Sequence, residues 1–237
     1  MIWGMNIAVI PARGGSKRIP RKNIRPFAGK PIITWVIDEL KRSGVFSSVY
    51  VSTEDDEIAD VCLSSGAEVS FRRSEKLADD FTTTGSVMKH AIDTITSQRN
   101  GEKFKFCTVY PTAVFADVDD YRKSFQLYEE LDDGFVFSVG KYDAPVERSF
   151  SLVNGILTRM DDTTRLQRTQ DLPVRYFDAG QFYWSSSSMW ERWEAGIYKP
   201  ANVHVLPKWK VHDIDSLEDW DLAEQIFTAR IVPNLKL

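Results

Sequence analysis

Between Ala12 and Lys30 the chain carries seven basic residues, Arg13, Lys17, Arg18, Arg21, Lys22, Arg25 and Lys30, with two adjacent glycines and no acid. The formal net charge of the whole chain is -4, and no acidic residue appears before Asp38. The positive charge is therefore local, and it follows directly on the apolar run Ile7–Ile10. A strand feeding a glycine-rich basic loop offers backbone N–H groups and cationic side chains to a polyphosphate. A solvated basic loop is the plainer reading of such a run. Gly14, Gly15 and Pro20 argue for a shaped loop instead, and the basic residues recur at intervals that can surround a triphosphate. The Walker A spacing is absent, because Gly29-Lys30 is followed by Pro31 and position 24 is Ile; the Rossmann glycine spacing is absent too.

A second group lies near the far end, in Val211-His-Asp-Ile-Asp215. In an extended segment side chains two apart share a face, so Asp213 and Asp215 can share a cation while Ile214 faces the core. Paired carboxylates completed by phosphate oxygens and water suit Mg²⁺. The alternative is that Asp215 merely caps the helix beginning near Ser216 or Leu217. A third group, Val109-Tyr-Pro-Thr-Ala113, places Pro111 and Thr112 at the carboxyl end of an internal strand, where an open α/β sheet binds its ligands. The aromatics Phe182, Tyr183, Trp184, Trp190 and Trp193 can stack on a sugar, but their spacing favours core packing for most of them. His90 reads as structural, and His212 should face away from the two carboxylates.

The elements that must position these groups follow from periodicity. Predicted strands at Asn6–Pro11, Val49–Thr53, Glu68–Phe71, Lys105–Tyr110 and Gly134–Gly140 alternate with helices at Pro31–Ser43, Asp55–Ser65, Gly85–Thr96 and Val118–Leu131. This alternation predicts an α/β fold with a doubly wound, mostly parallel sheet. From about Tyr142 the rhythm breaks. Ser149–Val153 and Ile156–Met160 flank Asn154-Gly155, a hairpin signal, and polar sequence follows through Asp171. The pattern resumes with a strand at Gln181–Trp184, a short helix near Ser187–Trp193, a strand around Asn202–Leu206 and a helix from about Leu217 to Arg230. One domain over residues 1–237, with an inserted arm at about 142–176, is the expected organisation.

The composition, 43% hydrophobic and 27% charged, supports a packed core. A mild acidic excess argues against nucleic acid as a partner. No run approaches the ~18 apolar residues of a membrane span, and no signal-peptide pattern opens the chain. Cys62 and Cys107 read as buried free thiols, which fits a reducing cytoplasm. Three histidines make a histidine-based metal site improbable.

Taken together, Ile10-Pro-Ala-Arg-Gly-Gly-Ser-Lys17, Pro20-Arg-Lys-Asn23 and Asp213-Ile-Asp215 followed by Glu218-Asp-Trp220 resemble the CMP-sugar synthetases that activate 2-keto acidic sugars, the CMP-sialic acid synthetases among them. The resemblance runs from about Met5 to about Ile231; Met1–Gly4 precede the usual start of such enzymes, and Met5 is a second candidate initiator. It implies a Rossmann-like nucleotidyltransferase fold, CTP as nucleotide, Mg²⁺ as cofactor and a homodimer formed through the arm, with residues near Arg165 or Gln167 reaching a neighbour's site. It implies that Arg13, Ser16, Lys17 and Lys22 hold the CTP phosphates along the Ala12-Arg13-Gly14-Gly15 loop, with Asn23 beside the nucleotide. Arg73 matches a nucleotide-binding arginine, although Ser74 replaces the proline that follows it in the family. Pro111 and Thr112 match the edge of the site, whereas Tyr110 replaces a glutamine and Val114 a proline. Asp213 and Asp215 match the metal-binding pair, and Arg13, Lys17 and Lys22 join them as the catalytic group.

Arg168-Thr-Gln-Asp-Leu-Pro173 and Asp178-Ala-Gly-Gln-Phe-Tyr-Trp184 point within that family to pseudaminic acid as the nonulosonic acid. Gln170, Gln181 and Tyr183 are then expected to bind the sugar, with Ala179 and Phe182 shaping the pocket. The implied reaction is direct attack of the anomeric hydroxyl on the α-phosphorus of CTP, with no protein nucleophile; the general base stays open. Sialic or legionaminic acid as acceptor, and a non-catalytic nucleotide-sensing module, are the rival readings. Retention of both lysines and both aspartates speaks against the sensor.

Overall fold

Alternation in the first strand decides the layering. In the computed structural model, which describes residues 5–102, 104–131, 134–186, 189–190 and 201–234, strand β1 (Asn6–Pro11) has four fully buried residues. Ile7 and Val9 pack with Met88, Ala91, Ile92 and Ile95 on one face of the sheet, whereas Ala8 and Ile10 join the larger core on the other. A strand buried on both faces reads as a continuous apolar run, as this one does.

Two-residue strands β2 (Pro26–Phe27) and β3 (Lys30–Pro31) form a small hairpin before helix α1 (Ile32–Ser43). Next come β4 (Ser48–Ser52), α2 (Asp56–Ser64), α3 (Thr84–Gln98), β5 (Lys105–Val109), α4 (Val118–Glu129) and β6 (Phe135–Lys141). After them come β7 (Phe150–Val153), β8 (Ile156–Arg159), β9 (Tyr176–Ser186), β10 (Ala201–Val205) and α5 (Leu217–Arg230). The main sheet has the order β10-β6-β9-β5-β1-β4. All its strands run parallel except β9, which lies antiparallel between β5 and β6. Helix α3 covers one face; α1, α2, α4 and α5 contribute to the core on the other.

The helix starts are written in side-chain chemistry. Asp55 accepts from Ile58 N at the head of α2, and Asp117 with Asp120 forms a capping box on α4. Ser216, not Asp215, caps α5, in a capping box with Asp219. The capping alternative for Asp215 is thereby excluded.

Two expectations need correction. Glu68–Phe71 is not a strand: only Glu68 bridges to Tyr50, and the chain then leaves the sheet. Gln181–Trp184 is the interior of the eleven-residue β9 rather than a short separate strand. The helix expected near Ser187–Trp193 lies largely outside the described residues.

The arm departs where β6 ends. Tyr142 N donates to Arg175 O at 3.0 Å, and between these two residues β7 and β8 pair only with each other. Asn154 and Gly155 supply the left-handed turn the hairpin requires, at φ 52° and 78°. Leu152, Ile156, Leu157, Met160 and Leu166 on this arm are exposed. Cys62 and Cys107 are free and buried, with the Cys62 thiol pushed up to about 12 by burial. Among the described residues no helix is long and apolar enough to cross a membrane.

Candidate active site

The carboxyl ends of β1 and β5 open into a pocket of about 400 Å³. Arg13, Ser16, Lys17, Lys22, Asn23, Arg73, Pro111, Thr112 and Asp215 all line it, so residues from the first and last quarters of the chain meet there. A larger recess of about 590 Å³ lies between α1, α4 and α5, walled by Trp35, Trp209 and Phe227, and holds none of the expected site residues.

The structure divides the seven basic residues by their partners. Arg13, Lys17, Arg18 and Lys22 face the pocket. Arg21 is instead locked to Asp55 and Glu57, Arg25 lies over the Trp220 ring, and Lys30 pairs with Asp38 above Trp35. Arg18, which carries no role in the motif reading, sits 2.7 Å from Asp215.

Each pocket cation is held by an oxygen. Arg13 donates to Asp79 O at 2.8 Å and to Asp80 at 3.0 Å, and Lys17 pairs with the same Asp80. Lys22 donates to Ile214 O and lies 3.3 Å from Asp215 Oδ1. Asn23 Nδ2 donates to Arg13 O at 2.9 Å, which fixes the loop from beneath. Arg73 is almost fully buried and donates to Ser52 O at the end of β4; burial lowers its pKa. Asp79 and Asp80 carried no legible signal, because two adjacent acids in a polar stretch read as ordinary solvated loop.

Three backbone N–H groups of the loop are engaged within the protein. Ala12 N donates to Ser52 O, Gly14 N to Glu54 Oε1 at 2.7 Å, and Ser16 N to Gly14 O. A Cβ on Gly14 would stand 2.4 Å from Asp55 Oδ2, whereas one on Gly15 would meet nothing within 4 Å. Gly14 thus answers a packing demand.

Asp213 and Asp215 flank the buried Ile214, as extended alternation requires. Of the two, Asp215 lines the pocket and Asp213 does not. Loss of solvent and then repulsion from Asp215 push the Asp213 carboxyl up, against the pull of Lys22 and Arg18. Two mutually repelling hard-oxygen donors fit a divalent cation. Among the described residues no group of three or more His, Cys, Asp or Glu is placed to hold a metal ion. The segment is braced from behind by Lys210, which pairs with Asp117 and Asp120, while His204 Nε2 lies 2.9 Å from Asp120. His212 does face away, against Phe115, with Nε2 at 2.9 Å from Trp209 O.

The expected sugar residues do not assemble. Gln181 is buried; its Nε2 donates to Lys210 O at 2.6 Å, and its Oε1 has no hydrogen-bond partner among the described residues. Gln170 lies on an exposed turn of the arm. Ala179 is buried and Phe182 and Trp184 are core residues. Tyr183 remains near the pocket: its ring packs edge-on against Tyr110 at 6.0 Å, and Tyr110 lines the pocket and bonds to Thr84.

A mixed α/β sheet with a cationic loop after β1 and a carboxylate pair before the last helix defines a nucleotidyltransferase. The chain belongs to the cytidylyltransferase family, whose sequence profile matches residues 7–219. It is 38% identical over 224 residues to the pseudaminic acid cytidylyltransferase of Campylobacter jejuni subsp. jejuni serotype O:2, covering 94% of this chain and 96% of that one. The N-acylneuraminate cytidylyltransferase A of Danio rerio is 32% identical over 92% of this chain, which spans 50% of that protein. In fold it is similar to a CMP:2-keto-3-deoxy-manno-octonic acid synthetase solved with CTP, with a TM-score of 0.70 at 13% identity over 96% of this chain and 100% of that one.

Proposed function

We propose that this enzyme transfers CMP from CTP to the anomeric hydroxyl of pseudaminic acid, releasing pyrophosphate. The observation that carries the reading is the meeting of Arg13, Lys17, Arg18 and Lys22 with Asp215 in one pocket at the sheet's carboxyl edge. The choice of sugar rests on the similarity to the Campylobacter jejuni enzyme over nearly the whole of both chains.

The anomeric oxygen bonds to the α-phosphorus as the α–β phosphoanhydride bond breaks, pyrophosphate leaves with the bonding pair, and the hydroxyl proton is released to solvent. Catalysis of this kind is mostly positioning and charge stabilisation. Lys22, held between Ile214 O and Asp215, would meet the phosphates nearest the reacting centre. Arg13 and Lys17 exchange Asp80 for phosphate oxygens. Ser16 and the Ala12–Gly15 loop border the phosphates, Asn23 holds the loop, and Arg73, Pro111 and Thr112 border the nucleoside. Asp213 and Asp215 would hold Mg²⁺, which when bound supplies charge neutralisation to the phosphates.

The same reading makes the chain one cytoplasmic domain whose arm, with its exposed apolar residues, pairs with a second copy. Purified protein incubated with CTP, Mg²⁺ and a panel of nonulosonic acids, followed by pyrophosphate release, tests the reaction. Turnover with pseudaminic acid at a clearly higher kcat/KM than with sialic or legionaminic acid is expected. Equal values would overturn the sugar assignment, and no pyrophosphate with any acceptor would leave the nucleotide-sensing reading.

A further inference from the structure

Asp178 and Tyr183 are five positions apart on β9, and in a regular strand an odd separation puts side chains on opposite faces. Here they meet. The pairing of β9 with β6 shifts between Phe137 and Val139, and Gly180 adopts φ 62°, a conformation that glycine accepts without strain. The irregularity returns Asp178 to the face of Tyr183, whose hydroxyl lies 2.8 Å and 2.9 Å from the two carboxylate oxygens. Gly180 N donates to Asp178 Oδ1 at 2.8 Å.

The carboxylate is thus oriented by two donors, one phenolic and one from the backbone. An ionised carboxylate has about four acceptor positions, so these two leave others open, and Asp178 is exposed. Its location is informative. Tyr110 is a wall of the nucleotide pocket, Tyr183 packs against Tyr110, and Asp178 lies beyond Tyr183. A molecule lying against Tyr183 and Tyr110 therefore adjoins the pocket that gathers the phosphate cations.

We propose that Asp178 is a specificity-determining residue of the acceptor site, taking hydrogen bonds from the amide N–H or hydroxyl donors of an N-acylated keto-acid sugar, and that Tyr183 positions it. The inference rests on the cytidylyltransferase reading and replaces Gln181 with Asp178 as the polar contact. A carboxylate cannot donate, so a sugar presenting only an acceptor here leaves it unpaired and is discriminated against.

The test is steady-state kinetics of pyrophosphate release from CTP and pseudaminic acid, with thermal melting alongside. Asp178→Asn is expected to raise the sugar KM about tenfold or more while the CTP KM stays within about twofold, since a charge-assisted acceptor is lost on one side only. Tyr183→Phe, which keeps the ring packing, is expected to shift the sugar KM in the same direction by less. An unchanged sugar KM in both variants, or a CTP KM that rises in step, overturns the inference and leaves the cytidylyltransferase reading standing. Wild-type protein that releases no pyrophosphate overturns both.

Discussion

Lys22 and Asp215, 193 positions apart in the chain, stand 3.3 Å apart at the floor of the pocket, and Lys22 also donates to the Ile214 carbonyl. A cation tied at its base to the carboxylate segment can serve phosphate and metal site together. Lys22→Ala is expected to lose on the order of 100-fold or more in kcat/KM, as removal of an aligned charge at a reacting phosphate does. Arg25→Ala, whose guanidinium lies over Trp220 rather than in the pocket, should lose only a few-fold at most. Similar losses in the two variants would refute the division of the loop.

Asp215 and Ser216 are adjacent but do different work. Ser216→Ala removes the α5 cap and should cost about 1 kcal/mol of stability. Asp215→Asn leaves that cap in place and should lose roughly 100-fold in turnover at limiting Mg²⁺. Melting curves and turnover measured on both variants separate the roles.

Gly14 and Gly15 predict opposite outcomes for the same substitution. Gly14→Ala drives a methyl into Asp55, the partner of Arg21, and should both lower the melting temperature and weaken CTP binding. Gly15→Ala meets no protein atom and should leave the melting temperature nearly unchanged.

Asp80 pairs with both Arg13 and Lys17. Asp80→Asn removes the charge that holds Lys17 and leaves Arg13 its bond to Asp79 O, so the CTP KM should fall a few-fold at low ionic strength, with the gain shrinking as salt screens these exposed charges. A CTP KM that rises instead would give Asp80 a part in binding.

The Asp120 carboxyl is buried, which opposes its charge, yet hydrogen bonds from His204 and Lys210 hold its pKa below the ordinary range. A depressed carboxylate contributes stability that is present above its unfolded value, near ~4, and is lost as pH falls below it toward the folded value. The melting temperature should therefore drop on acidification below about pH 4. Asp120→Asn has already lost this contribution, so its deficit against wild type should narrow as pH falls. At neutral pH the deficit should lie toward or below the low end of roughly 3–5 kcal/mol, because Lys210 keeps Asp117.

Local physics made much of the molecule legible in the sequence. The doubly buried run Ile7–Ile10, the stripe of Ile33, Val36, Ile37 and Leu40 on α1 and the Asn154-Gly155 hairpin each satisfy a short-range rule, so their form needed no distant partner. The basic loop and the Asp213–Asp215 pair were likewise visible, because charge density and two-residue alternation are properties of a few neighbouring residues. Tertiary structure alone decided which of seven similar cations face the ligand, since that depends on whether Asp55, Trp220 or Asp38 takes them first. It also decided that Gln181 turns inward to Lys210 O and that Asp178 rejoins Tyr183. A register shift opposite Phe137 and Val139 reverses the facing of side chains, and no spacing within the strand announces it.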